Sequence, residues 1–166
     1  MKKYLVPLVV LASMLALTLT ASAQYRHPPT TSGGSGMALL NLQNTIALHG
    51  YDPTAYFFSH QAIKGRKWIH ERLGGGTYYF RSRANRYEFL SNAPKYQPQF
   101  GGYCVTSMAQ GRLEDINPHL FAVYNGKLYL FHDPEAQSIF WANPERTIHE
   151  AAGHYFEFAR QKRQRW

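Results

Sequence analysis

The chain has 166 residues, 45% of them hydrophobic and 15% aromatic, with a formal charge of +8 and a single cysteine. One cysteine excludes an intramolecular disulfide framework, and the length suits one domain able to bury a core. Four of the cations are Arg160, Lys162, Arg163 and Arg165, so the basicity reads as a tail over 160–166. With no basic stripe read elsewhere, nucleic acid is not expected as a partner.

Lys2 and Lys3 precede an apolar run from Tyr4 to Leu19, and Ala21-Ser22-Ala23 follows with the small residues that signal peptidase prefers. This predicts a signal peptide over 1–23, cleaved after Ala23, and a periplasmic or secreted product. No cysteine follows the run, which closes the lipoprotein route. Residues 24–38 carry paired prolines, hydroxyl residues and glycines, and read as a flexible linker. A single domain is expected over 39–159, without internal repeats.

Within it, Trp68–Arg72 and Thr77–Phe80 read as strands around Gly74-Gly75-Gly76, a first hairpin. Ser82 caps a helix to about Asn92, with Tyr87, Phe89 and Leu90 as its apolar contacts and Pro94 as its stop. If Tyr103 to Gln110 is helical, Met108 lies one turn beyond Cys104. Leu120–Tyr124 and Lys127–Phe131 flank Asn125-Gly126, the dipeptide suited to a type I′ turn, and give a second hairpin. Asp133-Pro134 starts a helix to about Trp141, and a final helix after Pro144 runs through Ile148, Ala151, Tyr155 and Phe158. The fold class is α+β: a small antiparallel sheet of two β-hairpins, with packed helices and a C-terminal helix.

Chemistry concentrates at Gly101-Gly102-Tyr103-Cys104. A lone exported thiol is buried and inert, bound to a metal, used in redox chemistry, or joined to another chain. Met108 lies one turn beyond Cys104, and thiolate with thioether is a soft pair suited to Cu(I), completed by His49, His119 or His132. Gly101 and Gly102 either form a tight turn or expose N–H groups to an anion. Asp52-Pro53 reads as a helix cap. The remaining histidines form no metal signature: His149 and His154 are five apart on one helix, and His27, His60 and His70 are expected at the surface.

Several strings are similar to a known family. Ala47-Leu48-His49-Gly50-Tyr51-Asp52-Pro53-Thr54-Ala55-Tyr56-Phe57, Thr77-Tyr78-Tyr79-Phe80, Pro94-Lys95-Tyr96, Pro98-Gln99-Phe100-Gly101-Gly102-Tyr103-Cys104 and Gly126-Lys127-Leu128-Tyr129-Leu130 resemble the exported branch of the YHS-domain proteins, over roughly Leu39 to Ala152. Shorter YHS domains resemble metal-binding modules with a Cys-Ser-x-x-Cys element. That element reads Arg81-Ser82-Arg83-Ala84-Asn85 here, so both thiolate positions are lost.

These readings imply an exported, non-catalytic protein that binds a transition-metal ion such as copper, or a small ligand. The expected pocket is His49, Tyr51, Gly101, Gly102, Tyr103 and Cys104, and the expected metal ligands are Cys104, Met108, His119 and His132. The alternatives are thiol-dependent redox chemistry at Cys104 and an interaction module whose cysteine is buried. The basic tail offers a peripheral membrane contact, and the oligomeric state is left open.

Overall fold

A computed structural model describes residues 39–164. The expected signal peptide, the linker and the last two residues of the basic tail lie outside them. The class is α+β. In chain order come β1 (Leu42–Gln43), β2 (Ile46–Ala47), a 3-10 turn at Leu48–Gly50, α1 (Ala55–Phe58), β3 (Arg66–Leu73), β4 (Gly76–Phe80), α2 (Arg83–Ser91) and α3 (Ala93–Tyr96). A second 3-10 turn at Gln99–Gly102 is followed by α4 (Val105–Ala109), β5 (Asn117–Tyr124), β6 (Lys127–Phe131), α5 (Pro134–Ala142) and α6 (Pro144–Gln164).

Both hairpins form where the turn residues predict them, with Asn125 and Gly126 at φ 49° and 69° as a type I′ turn requires. They do not share a sheet. The first joins β1 and β2 in a four-stranded sheet of order β1-β2-β4-β3, in which β2 runs parallel to β4, while the second stands alone as β5-β6. The Ser82 hydroxyl accepts the Asn85 N–H to cap α2, and the Asp133 carboxylate accepts the Ala136 N–H to cap α5. On α2 only Phe89 is buried. Tyr87 and Leu90, expected in the core, face solvent. The helix breaks at Asn92, and Pro94 then occupies the first turn of α3, where its missing N–H is harmless.

The structure overturns the expectation that the domain has no repeat. Ile46 pairs in parallel with Thr77 on β4, and Pro98 pairs in parallel with Leu128 on β6, offsets of 52 and 51 residues. The same offsets relate the Asp52 N–H bond to Ile63 O (2.8 Å) and the Cys104 N–H bond to Glu114 O (3.1 Å). Each unit has a parallel bridge, a left-handed turn closed by a tyrosine, a short helix, a hairpin, and a capped helix. The two capped helices centre on Phe89 and Phe140, both buried, and end at Asn92 and Asn143 with matching dihedrals (φ −153°, ψ 62° and φ −157°, ψ 83°). Few side chains recur, so the sequence conceals what the backbone repeats.

Each unit has its own core. Ala47, Tyr78, Phe80, Phe89 and Tyr96 fill the first. The second is larger because α6 lies across α4 and contributes Ile148, Ala151 and Tyr155 to a cluster holding Cys104, Met108, Phe131 and Phe140. Arg160, Lys162 and Arg163 belong to the last turns of α6.

The left-handed turns set the frame. Leu48, His49 and Gly50 have φ of 53°, 51° and 79°, and Phe100, Gly101 and Gly102 have 51°, 65° and 82°. At Gly101 a Cβ would lie 2.0 Å from the Leu39 carbonyl oxygen, whereas at Gly126 it would meet nothing within 4 Å. Gly101→Ala is therefore expected to cost well over about 2 kcal/mol and Gly126→Ala about 1 kcal/mol, compared by urea unfolding midpoints. Equal losses would show that the turn does not hold the N-terminal segment against it.

Candidate functional site

The two left-handed turns bring most of the expected pocket residues to one surface. Asn41, just before β1, ties them together: its N–H donates to Gly101 O (2.9 Å), and its Nδ2 donates to Gly102 O (3.0 Å) and to Asp115 Oδ1 (2.7 Å). The paired glycines thus offer carbonyls to this segment. Asp115 also faces His49 Nε2 (2.7 Å) and accepts from the Ile116 N–H (2.8 Å) and Gln43 Nε2 (3.3 Å). Side chains of three residues, Asn41, Gln43 and His49, therefore converge on one half-exposed carboxylate. Burial would raise its pKa, but the Asn41 amide, the Ile116 N–H and His49 outweigh that and hold Asp115 below the usual aspartate range. Neighbouring Tyr103 donates its hydroxyl to Leu40 O (3.2 Å), and burial, with the Asp115 charge, raises its pKa.

Tyr51 stands beside this cluster. Its hydroxyl meets His119 Nε2 at 3.0 Å, and the Lys64 ammonium sits 4.3 Å over its ring while donating to His49 O (2.7 Å). His119 is thereby held at the surface with Tyr51. The other expected metal ligand, His132, is also at the surface, between Asp133 Oδ2 (3.1 Å) and Glu114 Oε2 (3.5 Å). Cys104 and Met108 are fully buried in the second core, joined by the Met108 N–H bond to Cys104 O (2.9 Å). The α-helix here spans only Val105–Ala109, with Cys104 at its N-cap and Tyr103 extended before it. Among the described residues no group of three or more His, Cys, Asp and Glu side chains is arranged to hold a metal ion. Cys104 and Met108 thus share one buried cluster, whereas His119 and His132 lie at the surface.

The repeat gives Cys104 a counterpart: Asp52 occupies its position in the first unit. Asp52 is fully buried and accepts from the Thr54 N–H (2.9 Å), Thr54 Oγ1 (2.8 Å), the Arg81 N–H (2.7 Å) and Asn85 Nδ2 (2.8 Å). The cap expected at Asp52 is therefore a tie between α1 and the start of α2. Two of its four donors come from Arg81 and Asn85, the two positions where the resembled metal element has cysteines. In the second unit Thr106, the counterpart of Thr54, donates instead to Ala136 O (2.7 Å), and a thiol fills the place of the carboxylate. A cavity of about 160 Å³ lies beside α4 and α5, lined by Thr106, Ser107, Arg112 and His132 among others. That is below the 300–1,000 Å³ of ordinary small-molecule sites.

Asp115, Asn41 and the full role of Asp52 were not singled out from sequence. The partners of Asp115 are up to 74 residues away, and a lone Asp before a strand has no local signature.

Two outcomes follow. Asp52→Ala leaves four donors without their acceptor and is expected to cost about 3 kcal/mol or more, read by chemical denaturation; a loss under about 1 kcal/mol would contradict its role as a tie. For Asp115, a carboxyl held low in the folded state contributes stability above the ordinary aspartate pKa of about 4 and loses it as pH falls through the lower folded value. Wild type should therefore lose its advantage over Asp115→Asn below about pH 4, and an advantage unchanged down to about pH 2 would contradict the hydrogen-bonded carboxylate. Compared with known proteins, the chain matches no family model, no curated protein and no solved structure.

Proposed function

We propose that this protein acts by binding rather than catalysis: an exported module of the YHS type whose cysteine belongs to the core and whose surfaces carry recognition. The observation that supports this most is the place of Cys104. It has no exposed surface, belongs to the buried cluster that includes Met108, Leu130, Phe131 and Phe140, and stands where the first unit holds the structural carboxylate of Asp52. A nucleophilic or redox-active thiol needs solvent access, and a fully buried cysteine in an apolar cluster lacks it. The left-handed conformations of Leu48, His49 and Phe100 also bear on it. Non-glycine residues keep such dihedrals only where their surroundings over-determine them, and here they build the polar surface around Asp115.

The polar surface has no activated nucleophile. Its carboxylate is occupied by amide and imidazole donors, an arrangement suited to holding a shape against a partner. The motifs that carry the YHS resemblance include the turns Leu48-His49-Gly50-Tyr51 and Phe100-Gly101-Gly102-Tyr103. Those motifs build this surface.

The test is thiol labelling with metal titration. The folded protein should resist 5,5′-dithiobis(2-nitrobenzoate) near neutral pH and release one thiol per chain on denaturation. Cu(I) and Zn(II), added under reducing and anaerobic conditions, should bind no better than to Cys104→Ala. Rapid native labelling would move the function to thiol chemistry. Stoichiometric Cu(I) binding lost in Cys104→Ala would move it to a metal site built on Cys104 and Met108.

A further inference from the structure

The repeat exposes a charge division that the sequence reading assigned to the C-terminal tail. Residues 64–95, the hairpin and helices of the first unit, contain eight Lys and Arg against two Asp and Glu; residues 96–159 contain three against seven. Ion pairing divides the same way. In the second unit Arg112 meets Glu114 and Arg146 meets Glu150, whereas in the first only Arg86 meets a carboxylate, that of Glu71. Lys64, Arg66, Lys67, Arg72, Arg81, Arg83 and Lys95 form no ion pair among the described residues. Concentrated charge of one sign opposes the compact state and draws counter-ions.

Much of this charge lies along β3, the outer strand of its sheet. Arg66, Lys67, Trp68, His70 and Arg72 are exposed there, and Trp68 is 75% exposed with the Arg66 guanidinium 5.9 Å from its ring. Two carbonyls of the strand are already taken: Lys67 O by His70 Nδ1 (2.9 Å) and His70 O by Arg86 Nε (3.1 Å). A bulge between Arg66 and His70 breaks the register further. Such features protect an edge from strand addition, so its side chains form the available surface.

We propose that the β3 edge docks the protein onto an anionic lipid surface, with Arg66, Lys67 and Arg72 meeting headgroup phosphates and Trp68 entering the interfacial layer. Two features favour lipid over other polyanions. The cations are unpaired, as attraction to anionic headgroups requires, and a projecting tryptophan matches the depth where indole rings settle at a bilayer surface. Tyr87, 73% exposed, and Phe58 add to the apolar exposure of the same unit. This names a partner for the binding-module reading and rests on it.

The experiment is co-sedimentation of the processed protein with vesicles of equal phosphatidylglycerol and phosphatidylethanolamine, against phosphatidylcholine vesicles. Binding should be confined to the anionic vesicles and fall at least tenfold between about 50 and about 500 mM salt. It should weaken tenfold or more in Arg66→Glu/Lys67→Glu/Arg72→Glu and several-fold in Trp68→Ala. Arg160→Gln/Lys162→Gln/Arg163→Gln should change it less than twofold. Circular dichroism checks the folding of each variant, and if the triple reversal unfolds, Trp68→Ala and the salt series carry the test. The proposal is overturned by absence of binding, by equal binding to phosphatidylcholine, or by loss confined to the C-terminal variant. Tighter binding to a single-stranded oligonucleotide, or self-association removed by the triple reversal, would assign the face to nucleic acid or to a second copy. If vesicle binding fails while Cys104 stays unreactive in the folded protein, the lipid partner alone is removed and the binding-module reading stands.

Discussion

Two three-residue stretches of left-handed backbone, Leu48–Gly50 and Phe100–Gly102, determine where almost everything else lies. Each reverses the chain and is closed by the following tyrosine, whose N–H reaches back to the first residue of the stretch (2.9 Å at Tyr51, 3.2 Å at Tyr103). Each delivers the next residue, Asp52 or Cys104, into the interior at the head of a short helix. Left-handed dihedrals cost a non-glycine residue roughly 1 kcal/mol or more, so Leu48, His49 and Phe100 are held there by their surroundings. The second turn rests against the segment at Leu39 and Asn41, and the first presents His49 to Asp115. Backbone strain in the turns is thus tied to the polar surface between them.

The equivalence of Asp52 and Cys104 changes how the cysteine is understood. In one unit the buried position holds a carboxylate with four donors, which joins α1 to α2 through polar contacts. In the other it holds a thiol, which belongs to a buried apolar cluster that includes Met108, Phe131 and Phe140, with α6 lying over α4. A carboxylate needs every donor in place, whereas a thiol behaves as a small hydrophobe and tolerates a dry site. The same backbone position has been stabilised by two kinds of chemistry. Under the binding-module proposal, a core role for the cysteine leaves recognition to the surfaces, which differ sharply in charge between the units.

What the sequence revealed depended on the range of each interaction. Asn125-Gly126, Ser82, Asp133 and Pro144 act within a turn of chain, and the elements they define formed where those residues placed them. The helical reading of Phe89 and Phe140 was equally local. Tyr87 and Leu90 were misjudged because α2 buries a narrow stripe, and residue type does not say which face meets the sheet. The separate sheets, the parallel β2–β4 pair and the Asp115 cluster depend on contacts across tens of residues. The repeat was hidden for another reason: dihedrals and hydrogen bonds recur, but Asp52 faces Cys104, Asn85 faces Ala136, and the charge changes sign from one unit to the next.

The central claim is that the paired turns clamp Asp52 and Cys104 into the two cores, sealing the thiol from solvent. Native-state hydrogen exchange at the amides of Tyr51, Asp52, Tyr103 and Cys104 tests it most directly, because local opening would release these amides before the protein unfolds. All four should exchange only through global unfolding, with the denaturant dependence of the whole domain. Exchange at Tyr103 and Cys104 through a much smaller opening would contradict the clamp and return Cys104 to the list of reactive groups.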